Sequence, residues 1–228
     1  MTAEEQNPAA AGGGLPPQQK SEVPPWRLLA TLGTAGAMAG FLIVFVFVAT
    51  EPIIKANKAE ELRLAIQEVL KGPTRFDTLY VYEGTLREQL PEGMDIEEAE
   101  QVYVGYDDTG SRIGFAIASA EPGFQDIISL IFGYDANRES VLGMKVLESK
   151  ETPGLGDKIV KDTSFVNQFD GAVAPLVGVN ARQSTGDSHE IDMITGVTIS
   201  SRSVIRIINN ALERIGPLIE AYNGGGGQ

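Results

Sequence analysis

Cysteine is absent from the 228 residues, and histidine and tryptophan occur once each. Without cysteine there is no disulfide, no Cys-ligated zinc and no Cys-ligated iron–sulfur cluster. The compartment stays open, although an oxidising one meets no objection. A single histidine, His189, cannot build a multi-histidine metal site or ligate a haem from both sides, and its setting, GDSHE, reads as a surface loop. Positive charge is scarce: 18 Lys and Arg stand against 31 Asp and Glu, a formal net charge of −13. Such a chain repels phosphate backbones, which argues against nucleic acid as a partner and for a solvated acidic surface. Hydrophobic residues make up 43% of the chain, enough to bury a core in one domain with appendages.

Residues 1–25 are rich in Pro, Gly, Ala and Gln, lack apolar periodicity, and are expected to form a disordered tail too polar for a signal peptide. Leu28 to Thr50 then contain no charged residue. As a helix this run measures roughly 34 Å, enough to cross a hydrocarbon core of about 30 Å. Trp26 and Arg27 mark one edge and Glu51-Pro52 the other, so a transmembrane helix is expected over 26–51. The run is long for a cleaved signal and lacks an A-x-A site, which favours a retained anchor. Gly36 and Gly40 form a G-x-x-x-G pair, a face that admits another membrane helix. Lys20 and Arg27 precede the span and Lys55, Lys58 and Arg63 follow it, so charge does not orient it.

Residues 52–72 show apolar side chains at helical spacing, with Pro52 suited to a first turn, and read as a juxtamembrane helix ended by Gly72-Pro73. Five segments rich in β-branched and aromatic residues follow: 78–84, 99–108, 112–120, 126–135 and 140–149. Turn sequences separate them, notably Asp107–Gly110 and Asp135–Arg138, and an acidic loop is expected around 91–100. A short helix over 157–169, strands near 173–179 and 190–196, and a long helix over 199–222 complete the order, before a flexible tail at 223–228. The fold class is α+β: an antiparallel sheet with packed helices, preceded by one N-terminal transmembrane helix.

Two stretches could carry chemistry. Glu151-Thr152-Pro153-Gly154-Leu155-Gly156 is a Gly-rich loop followed by Asp157-Lys158, but it lacks the P-loop spacing. Its glycines suit either close approach to a flat ligand or a plain strand-to-helix turn. Asp192-Met193-Ile194-Thr195-Gly196-Val197-Thr198 leads into the last helix with Ser200 and Ser201 just beyond. A helix start with oriented N–H groups and surplus hydroxyls suits an anion, phosphate above all; the alternative is an over-provided N-cap.

Taken together, the two stretches resemble the FMN-binding domain family. Asp192 to Thr198 is similar to its D-x-x-[ST]-G-A-T motif, and Glu151 to Gly156, after the strand Gly143–Glu148, is similar to its second hallmark. With the N-terminal anchor, the likeness covers roughly 26–222, and 73–222 is identified as the flavin domain. Within the family the pattern most resembles the G subunits of Rnf electron-transport complexes. The C subunits of the sodium-translocating NADH:quinone reductase are relatives. Val197 departs from the usual Ala, and Ser149 and Lys150 stand where members often carry a His.

The resemblance implies that a flavin transferase esterifies the FMN phosphate to Thr198. It implies that Ser200 and Ser201 add donors to the phosphate, that Glu151, Thr152, Gly154 and Leu155 line the flavin, and that Thr195, Gly196 and Val197 belong to the other side. Asp192 would serve the attachment reaction; Gly123 and Phe124 are further candidates. No metal site and no acid–base pair for turnover is expected. The implied function is electron transfer within a membrane-bound ion-translocating oxidoreductase complex of ferredoxin/NAD type. The implied partners are its other subunits, and the flavin domain would lie on the extracytoplasmic side of the cytoplasmic membrane. Rival readings are a subunit of the sodium-translocating reductase and a cofactor-free membrane-anchored scaffold.

Overall fold

Period-two alternation builds the main sheet. In β3 (Gln101–Tyr106) Val102 and Val104 are buried on one face and Tyr103 on the other. β4 (Arg112–Pro122) sets Phe115 opposite Val104 and Ile117 opposite Val102 on the same first face, with Ala116 behind them. β5 (Ile127–Asp135) continues the face with Leu130 and Phe132 and the reverse with Ile131. β1 (Arg75–Tyr82), β2 (Thr85–Arg87) and β6 (Ser140–Ser149) complete six antiparallel strands in the order β2-β1-β3-β4-β5-β6. The structure, a computed structural model, describes residues 24–91, 93–94 and 99–225. Most of the expected tail at 1–25, the last three residues and part of the acidic loop lie outside that set.

The chain divides into two units, through Ile54 and from Lys55. In the first, the residues of helix α1 (Pro25–Val69) up to position 54 expose apolar side chains such as Leu32, Phe41 and Phe45. Thr31, Thr34 and Thr50 donate their hydroxyls to carbonyls one turn back, which satisfies them without water. α1 is long and apolar enough to cross a membrane. The separate helices expected over 26–51 and 52–72 are one element, and Pro52 lies inside it rather than in a first turn.

In the second unit the two sheet faces are covered differently. Ala65, Ile66, Val69 and Leu70 pack on Tyr103, Ala116 and Ile131. The opposite face takes α4 (Thr198–Gly225), whose Val204, Ile207, Ile208, Ile215 and Ile219 are fully buried. Each such side chain contributes up to about 1.5–3 kcal/mol by leaving water. α2 (Lys158–Lys161), α3 (Thr163–Val166) and a 3-10 turn at Asn167–Phe169 replace the single helix expected over 157–169. The break is chemical: the Asp162 carboxylate accepts from the N–H groups of Ser164 and Phe165 and starts a new helix. β7 (Val177–Asn180) and β8 (Glu190–Met193) pair in parallel beside α4, and β8 delivers the chain to Thr198. α4 itself is described through Gly225, past the point where a flexible tail was expected.

Candidate functional site

The two motif stretches meet across one cleft of about 250 Å³. One wall is Phe124, Glu151, Thr152, Leu155 and Gly156; the other is Gly196 to Ser200 at the start of α4. Gly196 makes the sharp turn out of β8 with a φ of 83°, a conformation side chains resist. Val197 N–H then bonds to Ile194 C=O, and Ser201 N–H to Val197 C=O. Between them the N–H groups of Thr198, Ile199 and Ser200 have no acceptor among the described residues. These are the free donors of a helix start, at the positive end of a 28-residue helix. The Thr198 side chain is half-buried at the cleft, and its hydroxyl has no partner among the described residues.

The neighbouring hydroxyls are placed differently from expectation. Ser200 is buried and donates to Glu151 Oε2 at 2.8 Å. Ser201 is buried, donates to Val197 C=O at 2.9 Å and accepts from Ile194 N–H at 3.2 Å. Each has one proton and each proton is taken, so neither hydroxyl donates to a ligand as it stands. Val197 is buried and packs in the core with α4 while it also borders the cleft.

Glu151 is buried as well. Its Oε1 accepts from Phe124 N–H at 2.8 Å and Gln125 N–H at 3.0 Å, while Oε2 takes the Ser200 bond. Thr152 Oγ1 donates to Gln125 Oε1 at 2.8 Å, a second tie between the loops. Glu121 and Pro122 at the end of β4 are gripped from α4: Arg206 bonds Glu121 Oε2 and Pro122 C=O, and Asn210 bonds Glu121 Oε1. The cleft rim is apolar and open, with Phe124 63%, Leu155 49% and Ile199 53% exposed.

Other expected residues lie off the cleft. Gly154 sits in the exposed turn with a φ of 77°. Thr195 lines a separate depression with Asn180, Ala181, Arg182 and Gln183. Asp192 is half-buried on β8, with Oδ1 lacking a partner among the described residues. Gly123 faces the buried Glu151 carboxylate. Ile199 and Gly156 line the cleft without having been expected there; Ile199 was legible as an apolar residue one step beyond the key threonine, and Gly156 as the end of the Gly-rich loop. Among the described residues no cluster of three or more His, Asp or Glu groups suits a metal.

Comparison with known proteins bears on this cleft. Residues 123–213 match the family described as FMN-binding domain. The chain is similar to the G subunit of the ion-translocating oxidoreductase complex of Methanosarcina acetivorans, 25% identical over 189 residues, covering 83% of this chain and 93% of that one. The corresponding G subunit of Vibrio vulnificus is 37% identical over 106 residues, which cover 46% of this chain and 50% of the Vibrio protein. The chain thus spans nearly all of the archaeal relative and about half of the Vibrio relative. The crystal structure of Shewanella oneidensis NqrC superposes with a TM-score of 0.58 at 17% identity, covering 73% of this chain and 99% of that one. That last likeness is one of fold.

Proposed function

We propose that the chain, whose residues 123–213 match the FMN-binding domain family, is a membrane-anchored electron-carrying subunit that holds FMN through a phosphoester to Thr198. The observation that carries the proposal is the meeting of both motif stretches at one cleft inside the matched segment. The residues fit the group. Three free N–H donors and an unpaired hydroxyl suit a phosphate, and the exposed Phe124, Leu155 and Ile199 suit a flat ring. FMN, when bound, supplies the one- and two-electron chemistry.

The chain's own residues position and insulate. Thr198 offers the oxygen for attachment, and the start of α4 stabilises the remaining phosphate charge. Leu155 and Phe124 exclude water from one side of the cleft, Ile199 from the other. Gly196 keeps the turn short enough for the helix start to face the cleft. Asp192 acts in attachment rather than in electron transfer.

By analogy with the Methanosarcina and Vibrio relatives, the partners are other subunits of an ion-translocating oxidoreductase complex; the reading makes that complex one of ferredoxin/NAD type. Maturation requires a flavin transferase. α1 anchors the chain in the cytoplasmic membrane with the flavin domain on the extracytoplasmic side. The second reading is the related place in a sodium-translocating NADH:quinone reductase; the NqrC likeness is one of fold.

The test is to produce the full chain with a flavin transferase and view it on a denaturing gel under ultraviolet light, beside Thr198→Ala. A fluorescent band lost in the variant is expected. No fluorescence in the parent chain, with a transferase active on another substrate, overturns the covalent-flavin reading.

A further inference from the structure

We infer that Glu151 is a positioning residue with an electrostatic effect: its buried carboxylate holds the two cleft walls together and lowers the reduction potential of the flavin they enclose. The inference rests on the flavin reading above and adds to it a residue that sets the carrier's potential.

Glu151 is only 4% exposed, and no Lys or Arg pairs with it among the described residues. Three groups face its oxygens, and all three donate: Phe124 N–H, Gln125 N–H and Ser200 Oγ. The partners lie 26, 27 and 49 residues away along the chain, so a single side chain joins the Phe124 loop, the Gly-rich loop and the start of α4.

Two glycines make room for the group. A Cβ on Gly156 would stand 2.8 Å from Glu151 Oε2, and one on Gly123 would overlap Oε1. The site therefore gives up two side chains to seat an acid without a counter-ion, where burial of a charge is costly. A clamp alone needs no charge, since a neutral amide of the same shape can join the same walls. What the carboxylate adds is a fixed negative charge in a wall poor in water. Reduction brings electrons onto the ring, and a fixed negative charge nearby opposes them, moving the potential to more negative values.

The test uses the full chain produced with a flavin transferase, as Glu151→Gln and Ser200→Ala beside the parent. In Glu151→Gln the side-chain carbonyl accepts from the two N–H groups while the amide donates to Ser200 Oγ, whose hydroxyl turns. In-gel fluorescence comes first: a colourless parent overturns the flavin reading itself. With a fluorescent parent, spectroelectrochemical titration is expected to give Glu151→Gln a less negative midpoint. Ser200→Ala, which keeps the carboxylate, does not reproduce that rise. A fluorescent Glu151→Gln with an unchanged or lower midpoint overturns the electrostatic effect. So does a colourless one, because the carboxylate would then serve flavin attachment rather than the potential.

Positioning is read separately in the cofactor-free Thr198→Ala chain. There, adding Glu151→Ala is expected to speed hydrogen exchange at the Phe124 and Gln125 amides about tenfold or more. Unchanged exchange overturns the positioning role.

Discussion

The Gln168 carboxamide holds both backbone groups of Asp192: Asp192 N–H reaches Oε1 at 2.6 Å, and Nε2 reaches the Asp192 carbonyl at 3.3 Å. A side chain thus stands in for a neighbouring strand beside β8, ahead of the turn into Thr198. Gln168→Ala removes both bonds from a half-buried edge. It is expected to destabilise the domain by about 1–3 kcal/mol. Urea unfolding would show this as a lower midpoint with an unchanged slope.

Ser201→Ala separates a structural hydroxyl from a ligand hydroxyl. The substitution leaves Ile194 N–H without its side-chain acceptor in a half-buried turn. The expected cost is about 1–3 kcal/mol of stability, with flavin fluorescence retained in folded protein. Loss of fluorescence at full stability would instead place the Ser201 hydroxyl on the phosphate.

Val197→Ala restores the residue usual in the motif family. Val197 is buried in the α4 core, so deleting two methyl groups should cost about 2 kcal/mol. Flavin attachment by the transferase should proceed at the parent rate, measured as fluorescence gained per minute. A faster rate would show that the two extra methyl groups hinder the transferase.

Acid should lower the stability of the domain in a defined window. The Ser164 hydroxyl, then the Phe165 and Ser164 N–H groups, hold Asp162 below its usual 3.8 against the opposing effect of burial. The Lys161 ammonium does the same for Asp157, and the Thr109 hydroxyl for Asp107. Glu190 is held below 4.5 first by Thr185 N–H. Folded values lie below unfolded ones, so the stabilisation is complete above the unfolded values and is lost as pH falls through the folded ones. The thermal midpoint should be insensitive to these groups above about pH 5 and decline below about pH 4. A midpoint unchanged from pH 5 to pH 2 would contradict this.

Much of the sheet was legible because its strands alternate: Val102 and Val104, Phe115 and Ile117, Leu130 and Phe132 declare their faces by spacing alone. β2, only three residues long, offers no such period. The break at Asp162 was hidden because capping, not periodicity, decides it. At the site, the motifs pointed to Thr198, Gly196, Leu155 and Thr152, which do share the cleft. The tasks of Ser200 and Ser201 were not legible, since a hydroxyl donates to whatever the fold brings beside it. For Ser200 that partner is Glu151, 49 residues earlier.

The main sheet is mostly a succession of neighbours, β3 to β4 to β5 to β6, each able to pair soon after it is synthesised. Its inner face waits for α4, which begins only at Thr198. During translation, then, Val104, Phe115 and Phe132 stand ready before their cover exists, and a ribosome stalled ahead of residue 198 leaves them bare. The same late helix supplies the threonine, so the hour at which the core shuts is also the hour at which the cleft first exists.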